Sequence, residues 1–166
     1  NAYVPIVLSS GRWSGSLVPQ LQYVYRNSVV YDHFDDKYRE GGHILQVALS
    51  YSGNVRAARL DILPRWGYVV QARVLGEPVK NLFSTTLGLY GRVYTRGIVR
   101  HHGLSVAASW QKSLEDGLSP YSVMNILPRG YGNFNPAQYF AVSANYHLPI
   151  AYPDWGISGV FFLKRI

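Results

Sequence analysis

His101, His102 and Ser105 lie close together in the chain and could form part of a nucleophile–base set. A serine hydroxyl beside an imidazole, with a carboxylate to orient the ring, is the general layout of an acyl hydrolase or transferase. Asp61 or Asp116 would have to supply that carboxylate. No Gly-x-Ser-x-Gly elbow is present. Adjacent residues in a strand face opposite sides, so His101 and His102 would not act together there. His33, His43 and His147 are scattered and cysteine is absent. No metal site, disulfide framework or cofactor is expected from these residues.

Arginine offers a second chemistry. Arg26, Arg59, Arg73 and Arg92 fall at strand positions where, if the strands enclose a lumen, they would line it and favour anions. Pro128–Arg129–Gly130–Tyr131–Gly132 puts a glycine directly after an arginine, which permits a tight loop tip. An arginine there either sits at the surface beside a turn or reaches back into a lumen to make charge-assisted hydrogen bonds.

The elements that must position these residues are strands. Apolar and polar residues alternate with period two over residues 17–26, 44–52, 56–63, 68–75, 82–92, 104–112 and 139–148. Residues 155–163 are apolar on both faces, and 4–8 form a further candidate strand. No stretch holds a 3.6-residue period, so no helix longer than two turns is expected. Leu21, Tyr23, Val47, Leu49, Leu87, Val106, Val142 and Ala144 occupy the apolar faces, and the opposite faces carry Gln, Ser, Asn and Arg. Residues 52–54 and 66–67 read as short connections; 27–42, 95–102 and 113–136 read as long ones. Asp32, Asp35, Asp36, Lys37, Arg39 and Glu40 mark the first long connection as solvated.

Composition points the same way. The chain has 166 residues, 48% hydrophobic, but only 15% charged, and includes 14 tyrosines. A soluble domain carries about 25% charge to cover its outside. Tyrosine suits positions at an apolar–wet boundary. Apolar runs reach four or five residues, as at 4–8 and 160–163, well short of the roughly 20 that a membrane helix needs. Segments of about ten residues with alternate apolar positions match tilted membrane strands. A soluble sandwich or lipocalin-like barrel also alternates, but its outer face would carry Lys and Glu rather than Gln, Ser and Ala. The expectation is an all-β, antiparallel transmembrane β-barrel of about 8–9 strands, one domain over 1–166, in the bacterial outer membrane. The net charge of +7 admits anionic lipid as a partner; the dispersed arginines, with no lysine-rich helix or tail, argue against nucleic acid.

The run LPRGYGNFNPAQYFAVSANYHLPIAYPDW, from Leu127 to Trp155, resembles the late barrel of the BamA/TamA-type, or bacterial surface antigen, family of outer-membrane proteins. Arg129–Gly130–Tyr131 matches the Arg–Gly–aromatic motif of that family's sixth outer loop, and Tyr146–His147–Leu148–Pro149 matches the end of the strand that follows. LPRWGY (63–68) and GIVRHHGL (97–104) look like stretches of large Bacteroidota members. The resemblance implies a barrel portion of a longer protein, since the family barrel has about sixteen strands and its acceptor strand for the loop arginine would lie beyond Ile166. No signal peptide precedes Asn1, as in a mature form or an internal fragment.

Three functions compete. The resemblance implies insertion or translocation of unfolded outer-membrane protein or lipid cargo, with no catalysis. A small lipid-modifying enzyme would use the His101–His102–Ser105 group. A passive pore would use the lumen arginines.

Overall fold

The computed structural model describes residues 1–32, 37–55, 63–76, 85–99, 101–114, 136–148, 155–157 and 161–163. These residues form ten strands and no helix: β1 (Ala2–Tyr3), β2 (Ile6–Val7), β3 (Trp13–Asp32), β4 (Lys37–Val55), β5 (Trp66–Gly76), β6 (Thr86–Arg96), β7 (Gly103–Ser113), β8 (Gln138–His147), β9 (Trp155–Ile157) and β10 (Phe161–Leu163). The all-β, antiparallel expectation is met. An eight-stranded sheet runs β3-β4-β5-β6-β7-β8 in chain order, with β1 and β2 both on the outer edge of β3. Among the described residues β8 pairs only with β7, so the sheet is open.

Proline shapes that outer edge. β1 and β2 share one register against β3, with Ala2 opposite Leu21 and Val7 opposite Ser16. Between them the Val4 amide donates to the Pro19 carbonyl at 3.3 Å. Pro19 has no N–H to return the bond. The edge strand therefore breaks into two short pieces, shorter than the strand expected over 4–8.

The sheet has two ends. At the near end lie the turn closed by Ser10 and Trp13, the connection 56–65 and the connection 97–102; at the far end lie 33–36, 77–85 and 114–137. The expected connections need correction here. Ser52–Gly53–Asn54 is no turn: these residues lie inside β4, paired with β3 on one side and β5 on the other. A Cβ on Gly53 would fall 2.8 Å from the Tyr68 hydroxyl and 2.9 Å from Cζ. Glycine is there so that the Tyr68 ring can lie across it, not to reverse the chain. Trp66–Gly67 likewise opens β5. The long connection expected over 27–42 is mostly strand, because β3 reaches Asp32 and β4 starts at Lys37, with a bulge between Arg26 and Val29. No described strand pairs with residues 37–44 on their other side, so this arm runs about 25 Å past the last β4–β5 pair, Leu45–Gly76. The connection 97–102 lies at the opposite end from the other two long ones. The strand expected over 155–163 is instead a short antiparallel pair, Trp155–Ile157 with Phe161–Leu163. The strand expected over 56–63 lies, but for Leu63, outside the described residues.

Candidate functional site

Alternation along β3 to β8 gives the sheet two faces of opposite chemistry. Rows read from the register cross it without mixing. One such row is Pro19–Leu49–Ala72–Leu89–Trp110–Phe140, and its neighbour is Leu17–Tyr51–Val70–Gly91–Ala108–Val142. On the other face lie Val18–Ser50–Gln71–Tyr90–Ser109–Ala141 and Gln20–Ala48–Arg73–Gly88–Gln111–Tyr139. The apolar face is the exposed one. Leu49 is 46% exposed, and Leu21, Tyr23, Val47, Val106, Val142 and Ala144 are exposed with it, while Leu87 is half-buried. The largest fully buried side chains are polar: Gln111 and Thr86 at 0% and Ser109 at 1%. A soluble sheet places its apolar face inward and its polar face in water. Here the order is reversed.

Hydrogen bonds hold the polar face together. Ser16 and Ser52 hydroxyls meet at 3.0 Å, Gln46 donates to Gln22 at 3.4 Å, and Gln71 donates to Ser50 at 3.2 Å. Gln111 donates to the Pro136 carbonyl at 3.2 Å. Arg73 lies between Ala48 and Gly88 on the neighbouring strands. Arg92 stands 5.6 Å from the Tyr90 ring centroid, in cation–π range. Arg73 and Arg92 thus share the polar face, as their alternation required. Arg26 pairs with Gly42 in β3, but its side chain lies outside the described set, as do Arg59 and the loop Pro128–Arg129–Gly130–Tyr131–Gly132.

Aromatic clusters flank the apolar face. At the near end Tyr68 packs 5.3 Å from Tyr51 and 6.4 Å from Trp13. At the far end His43 lies 5.0 Å from Tyr25 and 5.9 Å from Tyr23, and the Tyr23 hydroxyl hydrogen-bonds His43 Nδ1.

Of the residues in the nucleophile–base grouping, His102 and Ser105 each find a partner on β8. His102 Nδ1 bonds the Tyr146 hydroxyl at 2.7 Å, and the same hydroxyl accepts from the Ile98 amide at 3.2 Å. Ser105 Oγ faces His147 Nε2 at 3.5 Å on the polar face. Asp61 and Asp116 lie outside the described residues. Among the described residues no group of His, Cys, Asp and Glu could hold a metal ion.

Sequence reasoning missed a feature of the near end. A pocket of about 490 Å³ is lined by Leu63, Pro64, Arg65, Arg96, His101 and His102, among others. Leu63 in its lining packs closely on Gly103, where a Cβ would fall 2.9 to 3.1 Å from Leu63 side-chain atoms. The signal was present: continuing the β5–β6 register one step past its last pair, Trp66–Thr95, reaches Arg65 and Arg96, both of which line the pocket. Reading it required the strand pairing, which alternation alone does not supply. Comparison of the chain with protein-family models, with curated proteins and with solved structures gives no match.

Proposed function

We propose that this chain is the strand-bearing portion of a transmembrane β-barrel of the bacterial outer membrane, with its apolar face in lipid and its polar face toward the lumen. The observation that carries the reading is the reversed exposure: an apolar outside opposite buried Gln111, Thr86 and Ser109. Length supports it. Apolar-face positions on β4 run from Leu45 to Val55, about 34 Å along the strand, and a tilt near 40° brings that to roughly the 25 Å height of a barrel's apolar band. The aromatic clusters at either end suit two interfacial girdles. The far end, with the long hairpin and the connection 114–137, suits the extracellular side, where loops are long. Closure would come from further strands pairing the two open edges.

Within that frame the role we favour is insertion or translocation of proteins or lipids, of the surface-antigen type. Its support is the Arg129–Gly130–Tyr131 motif and the stretch around it. Arg73 and Arg92 on the polar face favour a second reading, an anion-preferring pore. The test of the membrane reading places a fluorescent probe on Leu49→Cys and on Ser50→Cys in the full-length protein in vesicles. Lipid-borne quenchers should act on position 49 and aqueous iodide should not; iodide quenching alone at 49 refutes the reading. Chloride flux through the same vesicles separates the roles, since the pore requires it and assembly does not.

A further inference from the structure

We propose that the far end of the apolar face on β7 and β8 seats a phosphate-bearing lipid, with Lys112 and Gln138 at its headgroup and Trp110 and Phe140 along its acyl chains. The inference deepens the membrane reading and rests on it for the presence of lipid. The register carries apolar-face rows unbroken from β3 to β8, and the one nearest the far end is Leu21–Val47–Val74–Leu87–Lys112–Gln138. Lys112 is the one Asp, Glu, Lys or Arg in those rows. It is exposed, and among the described residues it has no hydrogen-bond or ion-pair partner. Gln138, paired with it on β8, carries an amide able to donate to the same anion. One row closer to the middle of the sheet, Trp110 and Phe140 are paired, and Phe140 is 66% exposed. Leu114, also exposed, follows Lys112 on its other side. A cation and an amide bordered by open apolar groups fit a ligand that brings an anion and acyl chains together.

Lys112 also stands where a headgroup would lie. A lysine on the lipid face of a barrel is costly at the midplane and tolerated near the interface. On β4 the far interface is marked by the aromatic cluster of His43 with Tyr23 and Tyr25. His43 lies four residues beyond Val47, the β4 member of the Lys112 row. That step is about 14 Å along the strand, and the distance across the sheet from β4 to β7 is also about 14 Å. The line from His43 to Lys112 therefore slopes at about 45° to the rows, close to the tilt of roughly 35–45° at which barrel strands cross a membrane plane. In that geometry His43 and Lys112 share one level, and Trp110 and Phe140 lie just inside it. The long connections at this end make it the outer leaflet.

The test uses the full-length protein in phosphatidylcholine vesicles, with a fluorescent probe on Val142→Cys, the next apolar-face position to Phe140 on β8, or on Leu49→Cys, away on β4. Part of the lipid is replaced by brominated phosphatidic acid or by brominated phosphatidylcholine, whose chains quench a probe they touch. At position 142 phosphatidic acid should be preferred by about fivefold, the attraction of one lysine near a membrane surface. At position 49 the two lipids should quench alike. Lys112→Gln should bring position 142 to parity. Lys112→Gln with Gln138→Lys moves the cation to the neighbouring strand and should restore the preference, which guards against a folding defect of the single variant. Parity at 142 with Lys112 in place, a preference that survives Lys112→Gln, or a swapped protein that stays at parity overturns the proposal and leaves the membrane reading standing. Equal preference at 49 and 142 overturns it too, because that is the mark of net charge and not of a seat. If neither lipid quenches either probe, the membrane reading fails and the seat falls with it.

Discussion

Replacing Leu49 by arginine separates a lipid-facing sheet from a water-facing one by a margin larger than measurement error. Leu49 sits in β4 on the apolar face, between Pro19 and Ala72 in its row. The apolar positions of that strand end at Leu45 and Val55. Those limits are about 14 Å and 20 Å away along the strand, or roughly 10 Å and 15 Å in depth at a tilt near 40°. An arginine stem spans about 6 Å, less than either depth, so snorkelling cannot bring the charge fully to water. The expected loss for Leu49→Arg is therefore about 2–4 kcal/mol, the cost of a cation near the midplane of a barrel's lipid face. If the same face met water, the exposed leucine would be replaced at a cost within about 0.5 kcal/mol. Ser50→Arg, one residue along and on the polar face, loses its hydrogen bond from Gln71 and should cost about 1 kcal/mol. Urea titration of the full-length protein in phospholipid vesicles, followed by tryptophan fluorescence, measures both. A Leu49→Arg protein as stable as wild type, or no less stable than Ser50→Arg, refutes the assignment of the faces.

Other perturbations test particular contacts. Gly53→Ala places a methyl group where the Tyr68 ring lies; displacing that ring from Tyr51 and Trp13 should cost about 1–3 kcal/mol in the same titration, and a Tyr68→Leu background should abolish most of the effect. Gln111→Leu should destabilise by about 1–3 kcal/mol, because it leaves the Pro136 carbonyl without the amide that Gln111 donates. In the full-length protein Arg129→Ala should lose heat-modifiable gel mobility and surface assembly while Arg12→Ala keeps both, and Arg129→Lys should not rescue, because lysine lacks the planar fork.

The faces were legible in the sequence because side-chain period in a strand is a local property. Leu104, Val106, Ala108 and Trp110 could be set against Ser105, Ala107, Ser109 and Gln111 without knowing any partner strand, and the sheet keeps that division. Period two also survives an error of boundary. The strand read over 82–92 is β6 over Thr86–Arg96, yet Leu87 and Leu89 still oppose Thr86 and Gly88.

Connections were less legible because glycine, serine and asparagine carry two meanings that composition does not separate. Ser52, Gly53 and Asn54 read as a turn from residue type, and the actual reason for the glycine lies on another strand, in the Tyr68 ring opposite it. The charged residues around 27–42 read as loop because sheets bury charge badly, an argument that fails for a hairpin arm with no described neighbour on one side. The basic pocket required one step more. Arg65 and Arg96 are far apart in sequence, and the β5–β6 pairing is what brings the chain at both positions to one pocket. Pairing between strands is fixed by the whole hydrophobic pattern and by turn geometry together. A site built from strand ends is thus less visible to local reading than the face of any single strand.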